Sequence, residues 1–399
     1  MLDPLGQTQV LPYLRELSKR GVIFTLLSFE RERAFAGDGP AECASLKKQL
    51  AELNIEWHWL RYHQNPSIPA TAFDVCKGIS YAGRLVKKNR IEMVHARSHI
   101  PATIALVLKK RHGIKFIFDI RGLMAEEYVD ANHWKENSLP FRITKTMERR
   151  ALSAADGVVT LTEKIWPIVK QWEGLRGRNV AHEVVPCCTD LKTFAFSPSE
   201  RKKRRADLGL DDQLTLVYSG SIDGWYLTEE MADFFAELLR GNPSAHFLWL
   251  TPVKHDRVNQ LMTERGISPD QYTVKAVVPA DVPSYLAASD VGIAFIRSCF
   301  SKQASSPTKN AEYLACGLPL IINAGVGDSD AIVSDAEIGA VVENLTDADY
   351  SRAITTVQKL LTNREALRVA ARHTAVKLFD VGQVGVERYA RLYERVLAA

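Results

Sequence analysis

Short apolar runs rich in β-branched and aromatic residues alternate with helix-patterned stretches along the whole chain. That alternation restricts the fold to parallel βαβ units. In the first half the strand-type runs are residues 22–29, 55–60, 91–94, 116–118, 158–161 and 184–186, separated by helical patterns at 10–19, 43–53, 79–88, 102–111 and 141–155. The second half restarts with strands at 214–218, 246–250, 273–276, 291–295, 318–322 and 340–342, and helices at 229–239, 258–266, 282–287, 310–315 and 329–333. Near-continuous apolar strands call for sheets covered by helices on both faces. The expected fold is α/β, with two Rossmann-like doubly wound parallel-sheet domains.

The break between the halves lies between Pro186 and Gln213. Its basic run Arg201-Lys202-Lys203-Arg204-Arg205 reads as an exposed linker and leading helix. A nucleic-acid patch is the weaker reading, because no aromatic residues interleave the run. A doubly wound domain normally opens with a strand leading into its first glycine turn, whereas Met1-Leu2-Asp3-Pro4-Leu5-Gly6 begins at the turn itself. The first strand of the N-terminal domain is thus missing from the pattern, and the reading favoured is a true N-terminus upstream of Met1.

With 399 residues, 46% of them hydrophobic, each half can bury a core of its own. The longest apolar runs, 291–296 and 318–322, are strand-sized rather than membrane-spanning, and no leader pattern opens the chain. The six cysteines have no zinc spacing, which with the rest points to a cytoplasmic protein. Net charge is +7 over residues 1–190 and −3 over the remainder, so the two halves suit different partners.

In an open α/β sheet, ligands sit beyond the carboxyl ends of the strands, where loops and helix N-termini present N–H groups to anions. The candidate residues therefore come from strand exits. Asp3-Pro4-Leu5-Gly6-Gln7 precedes an amphipathic helix, and Gly6 would let a diphosphate approach the backbone. His95-Ala96-Arg97-Ser98-His99 and Asp119-Ile120-Arg121-Gly122, followed by Glu126, load two successive exits with charge. In the second half, Gly220 and Ser221 lie in a glycine-containing exit with Trp225 and Tyr226, and Arg297 follows a further strand. The segment Ser305-Ser306-Pro307-Thr308-Lys309-Asn310-Ala311-Glu312 opens a helix at Pro307. Freed N–H groups there, with Lys309, would hold a diphosphate, and Glu312 shares the face of Lys309 and suits a ribose diol. Cys187-Cys188 reads as a buried apolar pair. Neither G-x-G-x-x-G nor a P-loop occurs, which argues against a nicotinamide dehydrogenase and a P-loop enzyme.

These motifs together resemble the GT-B glycosyltransferases, specifically the retaining family 4 group of polysaccharide gene clusters. The resemblance runs nearly end to end, through Val94-His95-Ala96-Arg97-Ser98, Tyr218-Ser219-Gly220-Ser221, Ser306-Pro307-Thr308-Lys309, Glu312-Tyr313-Leu314-Ala315-Cys316-Gly317-Leu318-Pro319 and the tail Val386-Glu387-Arg388-Tyr389. It implies two domains facing across a cleft: an acceptor-side domain at 1–190, a nucleotide-sugar domain at 191–379, and a helix at 380–399 crossing back to the first. It implies transfer of a hexosyl unit from a nucleoside diphosphate sugar (UDP- or GDP-linked) to a glycan or lipid-linked acceptor. No metal and no cofactor beyond that co-substrate is implied.

Glu312 matches the second glutamate of the family's E-x7-E motif. The first would fall at Ala304 and is missing, with Ser305 and Ser306 as substitutes. Family positions for diphosphate-binding Arg and Lys hold Ser221 and roughly Tyr226 here. Lys309 and Arg297 are the expected replacements, with Arg121 as a third cation. Asp119 stands where many members have a histidine. The resemblance thus assigns Asp119, Arg121 and Lys309 to catalysis, and Gly6, Gly220, Ser221, Arg297, Ser306, Thr308, Lys309 and Glu312 to the donor. His95, Arg97 and Glu126 fall on the acceptor side. The basic clusters Lys87-Lys88 and Lys109-Lys110-Arg111 suggest peripheral contact with the inner membrane face. A nucleotide-sugar epimerase of the same fold and a degenerate partner subunit are the alternatives.

Overall fold

The computed structural model describes residues 1–65 and 67–399. The chain divides into two compact units: Met1–Pro186 with Val381–Ala399, and Cys187–Asp380.

The first unit carries β1 (Phe24–Glu30), β2 (Ile55–Arg61), β3 (Met93–Arg97), β4 (Lys115–Asp119), β5 (Gly157–Thr160) and β6 (Ala181–Val184). All pairings are parallel, but the strands form two sheets, β1-β2 and β3-β4-β5-β6. Among the described residues β1 pairs only with β2, and β3 only with β4. One helical layer nevertheless covers both sheets: Ala82 and Val86 of helix Ser67–Asn89, with Ile104 and Leu108 of helix His99–His112, pack with Leu27 and Phe29 of β1 and Val94 of β3. The pairing is interrupted between β1 and β3. The interruption leaves β1 and β3 half-buried while β4 and β5 are buried almost throughout.

The C-terminal segment completes this unit. A π-helical turn, Val381–Val386, leads into helix Glu387–Ala398. Gly157 opens β5 at a point where a Cβ would collide with Val396 at 2.8 Å, so the absent side chain lets this helix lie close to the sheet.

The second unit carries β7 (Thr215–Ser219), β8 (His246–Leu250), β9 (Tyr272–Lys275), β10 (Val291–Ala294), β11 (Leu320–Asn323) and β12 (Gly339–Val342). They form one parallel sheet in the order β12-β11-β10-β7-β8-β9. Alternation along each strand builds two cores. Leu216, Tyr218, Phe247 and Trp249 pack on the side of helix Thr228–Gly241, whereas Val217, Leu248 and Leu250 pack on the side of helix Thr308–Ala315.

The basic run after Ser197 forms the leading helix, with Lys202 and Lys203 exposed, but it is not a loose linker. Helix Pro198–Asp207 starts at Ser197, whose side chain accepts from the Glu200 N–H, and its arginines turn inward. Arg201 Nη2 donates to Asp290 Oδ1 at 2.8 Å, and buried Arg205 donates to the carbonyls of Ala288, Asp211 and Gln213. These groups tie off the ends of elements around buried Asp290, which excludes them from a nucleic-acid patch. Helices Asp347–Leu360 and Arg364–Phe379 lie beyond the sequence expectation, although Thr346 and Asn363 are legible caps for them.

Candidate functional site

In the second unit strand order reverses between β7 and β10, the place where an open α/β sheet leaves a crevice at its carboxyl edge. Three exits supply the residues there: Ser219–Tyr226 after β7, Phe295–Pro307 after β10, and Ala324–Asp328 after β11.

Helix Thr308–Ala315 starts at the end of the β10 exit, with Pro307 as its N-cap residue. Ser306 Oγ accepts the Cys187 N–H at 3.1 Å, fixing the segment just before the helix. Lys309 is buried and leans over the β7 exit. Its Nζ donates to Tyr218 Oη at 3.0 Å and stands 4.2 Å and 3.6 Å from the ring centroids of Tyr218 and Tyr226. The Tyr218 hydroxyl in turn donates to the Ser221 carbonyl. Gly220, at φ +140°, makes the crossing possible, because a Cβ there would sit 2.9 Å from Lys309 Nζ.

Burial pulls the Lys309 pKa down to about 7, against the upward pull of Glu312. Burial likewise pushes half-buried Glu312 up to about 7, opposed by Lys309. Each group thus opposes the effect of burial on the other. Ser221 and Arg297 are exposed, and Ser306 and Thr308 half-buried, at the mouth of the same cluster.

Sequence reasoning passed over Lys302. It lies in the 3-10 turn Ser301–Ala304, is buried, and stands with Nζ 3.7 Å from the Trp225 ring centroid. The Arg297 guanidinium is 6.0 Å from the same ring. Only the fold brings residue 302 onto residue 225, so no local signal marks it. Ala304, where the family's first glutamate would fall, is buried in the same turn.

The first unit gathers a different cluster. Asp119, at the end of β4, is fully buried; its Oδ2 accepts from Tyr389 Oη at 2.8 Å and lies 3.4 Å from His95 Nε2 and 4.0 Å from Arg97 Nη1. Arg121 Nε is 3.9 Å from Asp119 Oδ1. Burial alone would raise this carboxyl, but Arg121, a hydrogen bond with His95 and the charge of Arg97 hold it at about 2. His95 Nδ1 hydrogen-bonds Tyr393 Oη at 2.8 Å. Asp119 and His95 thus help to seat helix Glu387–Ala398 through Tyr389 and Tyr393.

Glu126 stands apart from that cluster. Lys145 bridges it, at 2.7 Å, to buried Glu148, which pairs with His99 at 2.9 Å. Gly6 also departs from expectation. It is buried inside helix Pro4–Gln9 against Met1, so its backbone is not open to a diphosphate; Pro4 starts this additional helix ahead of helix Leu11–Lys19, which answers to the pattern at 10–19. The membrane-contact candidates have local explanations as well. Lys109 pairs with Asp156, Lys88 with Glu56, and Lys109–His112 lie at a helix C-terminus that favours cations. Among the described residues no helix is long and apolar enough to cross a membrane, and no group of three or more His, Cys, Asp or Glu is placed to hold a metal ion.

Two parallel-sheet units, one with its crevice at a strand reversal, define a Rossmann-like enzyme of the GT-B class. Residues 6–188 match the model of a glycosyl transferase 4-like domain, and residues 200–374 that of glycosyl transferases group 1. The chain is a GT-B glycosyltransferase of the family 4-like kind, and hence a transferase. No curated protein sequence matches it. Among solved structures it is similar to a sucrose-phosphate synthase from Thermosynechococcus elongatus, at TM-score 0.70 and 17% identity over 94% of this chain and 100% of that one. A glycosyltransferase from Rickettsia africae gives 0.68 and 14% over 94% and 99%. HepE from Anabaena, in complex with UDP and glucose, gives 0.67 and 15% over 93% and 99%.

Proposed function

We propose that the protein transfers a hexosyl unit from a nucleoside diphosphate sugar to an acceptor hydroxyl, with retention of anomeric configuration and without a metal ion. The observation that carries the donor side is Lys309 laid across Gly220 at the reversal of strand order, a buried ammonium above a backbone that nothing but hydrogen covers. The solved structure of HepE with UDP-glucose supports a donor of this class. As the diphosphate departs, negative charge grows on its oxygens. The Lys309 ammonium and the N–H groups at the start of helix Thr308–Ala315 meet that charge. Glu312 accepts from the ribose hydroxyls, and Ser306 and Ser305 contact the sugar in place of the carboxylate absent at Ala304. The acceptor is a glycan or lipid-linked saccharide used in polysaccharide assembly, bound by the first unit, with Arg97 and Arg121 as its half-buried cations. A screen of UDP- and GDP-sugars, read as acceptor-dependent nucleotide release, tests the reading. Release from one donor supports it; isomerisation of the sugar without any acceptor would replace it with an epimerase.

A further inference from the structure

A cluster of arginines lies at the amino edge of the second sheet, opposite the crevice. Asp290 stands just before β10, and its Oδ2 accepts the N–H of Thr215, which opens β7, at 3.0 Å. Four arginines gather around this buried carboxylate. Arg201 Nη2 and Arg364 Nη1 both donate to Oδ1, at 2.8 and 2.5 Å, and Arg205 Nη1 lies 3.7 Å from Oδ2. Arg201 and Arg205 also close the ends of elements, through the carbonyls of Ala287, Ser289 and Ala288. Arg364, the first residue of helix Arg364–Phe379, comes to an oxygen that Arg201 already meets.

Arg368 is the fourth. It follows Arg364 by four residues, on the same face of the helix. Its guanidinium stands 3.8 Å from the Phe196 ring centroid, and its buried Nη1 has no hydrogen-bond partner among the described residues. An unsatisfied buried N–H on a cation destabilises the protein unless something accepts from it. Burial and the charge of Arg201, with a smaller push from Arg364, hold the Arg368 pKa down at about 10 against the pull of Asp290 and Glu365.

We propose that Arg364 and Arg368, with Arg201 behind them, bind a dianionic phosphate group, carried by inorganic phosphate or by a phosphomonoester, at a second site remote from the donor crevice. The site stands independently of the nucleotide-sugar reading. A guanidinium fork meets phosphate oxygens in two-point contacts, and forks on successive turns of one helix can share one phosphate. Of the other carboxylates whose charge reaches the cluster, Glu365 and Asp212 are both exposed, so solvent screens them. The positive charge left over favours a dianion above a carboxylate. Asp290 holds Arg201 and Arg364 in place for it.

The experiment follows the thermal transition of the full chain by scanning fluorimetry, titrating inorganic phosphate and, separately, a hexose 6-phosphate at constant ionic strength. Wild type is compared with Arg368→Met, which keeps an apolar stem on Phe196, with Arg364→Gln, and with Lys309→Met, which removes a cation from the crevice. Wild type should gain stability, with saturation, from at least one of the two ligands. Arg368→Met should weaken the apparent affinity about 10- to 100-fold, the worth of one charged hydrogen bond, while its ligand-free transition does not fall. Arg364→Gln should weaken it about tenfold, and gives the same reading if Arg368→Met does not fold. Lys309→Met should leave it within about threefold. Saturation by inorganic phosphate assigns the site to the free anion; saturation by the ester alone assigns it to a phosphomonoester. A wild type that gains nothing from either ligand overturns the proposal, as does a gain that chloride matches or one undiminished in both arginine variants. A gain lost in Lys309→Met and kept in Arg368→Met puts the phosphate in the crevice, which overturns the second site and leaves the donor reading standing.

Discussion

Replacing Lys309 with methionine should stabilise the unliganded protein while disabling it. A lysine held at pKa about 7 instead of 10.5 costs the folded state about 4 kcal/mol at pH 7. The Tyr218 and Tyr226 faces beneath the ammonium return about 2 kcal/mol of that. Methionine keeps the length and apolar stem of the side chain, so the net gain is about 2 kcal/mol, or about 4–8 °C in Tm for a unit of this size. The sign with pH follows from the lowered folded pKa. The cost is full below pH 7 and fades as the unfolded lysine also loses its proton towards pH 10.5, so the variant's advantage should shrink between those values. Turnover should fall about 10²–10³-fold, as when one stabilising donor is removed from a developing anion. Differential scanning calorimetry across pH and a nucleotide-release assay read the two effects. A variant less stable than wild type at pH 7, with normal turnover, would refute the reasoning.

Binding of a diphosphate should draw a proton onto Lys309 above pH 7, so affinity should decline as pH rises from 7 to 9; titration at pH 8 in buffers of different ionisation enthalpy should report uptake that survives Glu312→Gln and disappears in Lys309→Met. Glu312→Gln should weaken nucleoside diphosphate about tenfold and erase discrimination against the 2′-deoxy form, both by calorimetry. Gly220→Ala forces Lys309 aside and should lose nucleotide-induced thermal protection while the sheet still folds. In the first unit, Asp119→Ala leaves Arg97, Arg121 and the Tyr389 hydroxyl facing a void and should cost about 3–5 kcal/mol in denaturant unfolding. Because its folded pKa is held at about 2, below the ordinary 3.8, the stability Asp119 lends is present above pH 4 and lost as pH falls towards 2.

The β-exit loops were legible because their neighbours are strands with unmistakable apolar runs, and a strand fixes where its exit must lie. His246–Leu250 is the plainest case, predicted and found at the same bounds. Helices Asp347–Leu360 and Arg364–Phe379 escaped because each buries only a narrow stripe, Tyr350, Ala353 and Val357 in the first, among polar residues. Lys309 and Glu312 could be paired from their three-residue spacing on one helix. That Lys309 would lie across Gly220 depends on pairing between β7 and β10, which no local pattern records. The surroundings of Asp119 were hidden for the same reason. A charged residue at a strand exit reads as open to ligand, and nothing near it announces that Tyr389, 270 residues on, will cover it. Gly6 misled through Pro4, whose preference for a helix start turned a presumed loop into a buried turn of helix.

The most direct measurement is a crystal structure of the chain with a bound nucleoside diphosphate. The account predicts phosphate oxygens about 3 Å from Lys309 Nζ and from the amides that open helix Thr308–Ala315, with the ribose hydroxyls on Glu312. A nucleotide bound elsewhere, with Lys309 still closed on Tyr218, would contradict it.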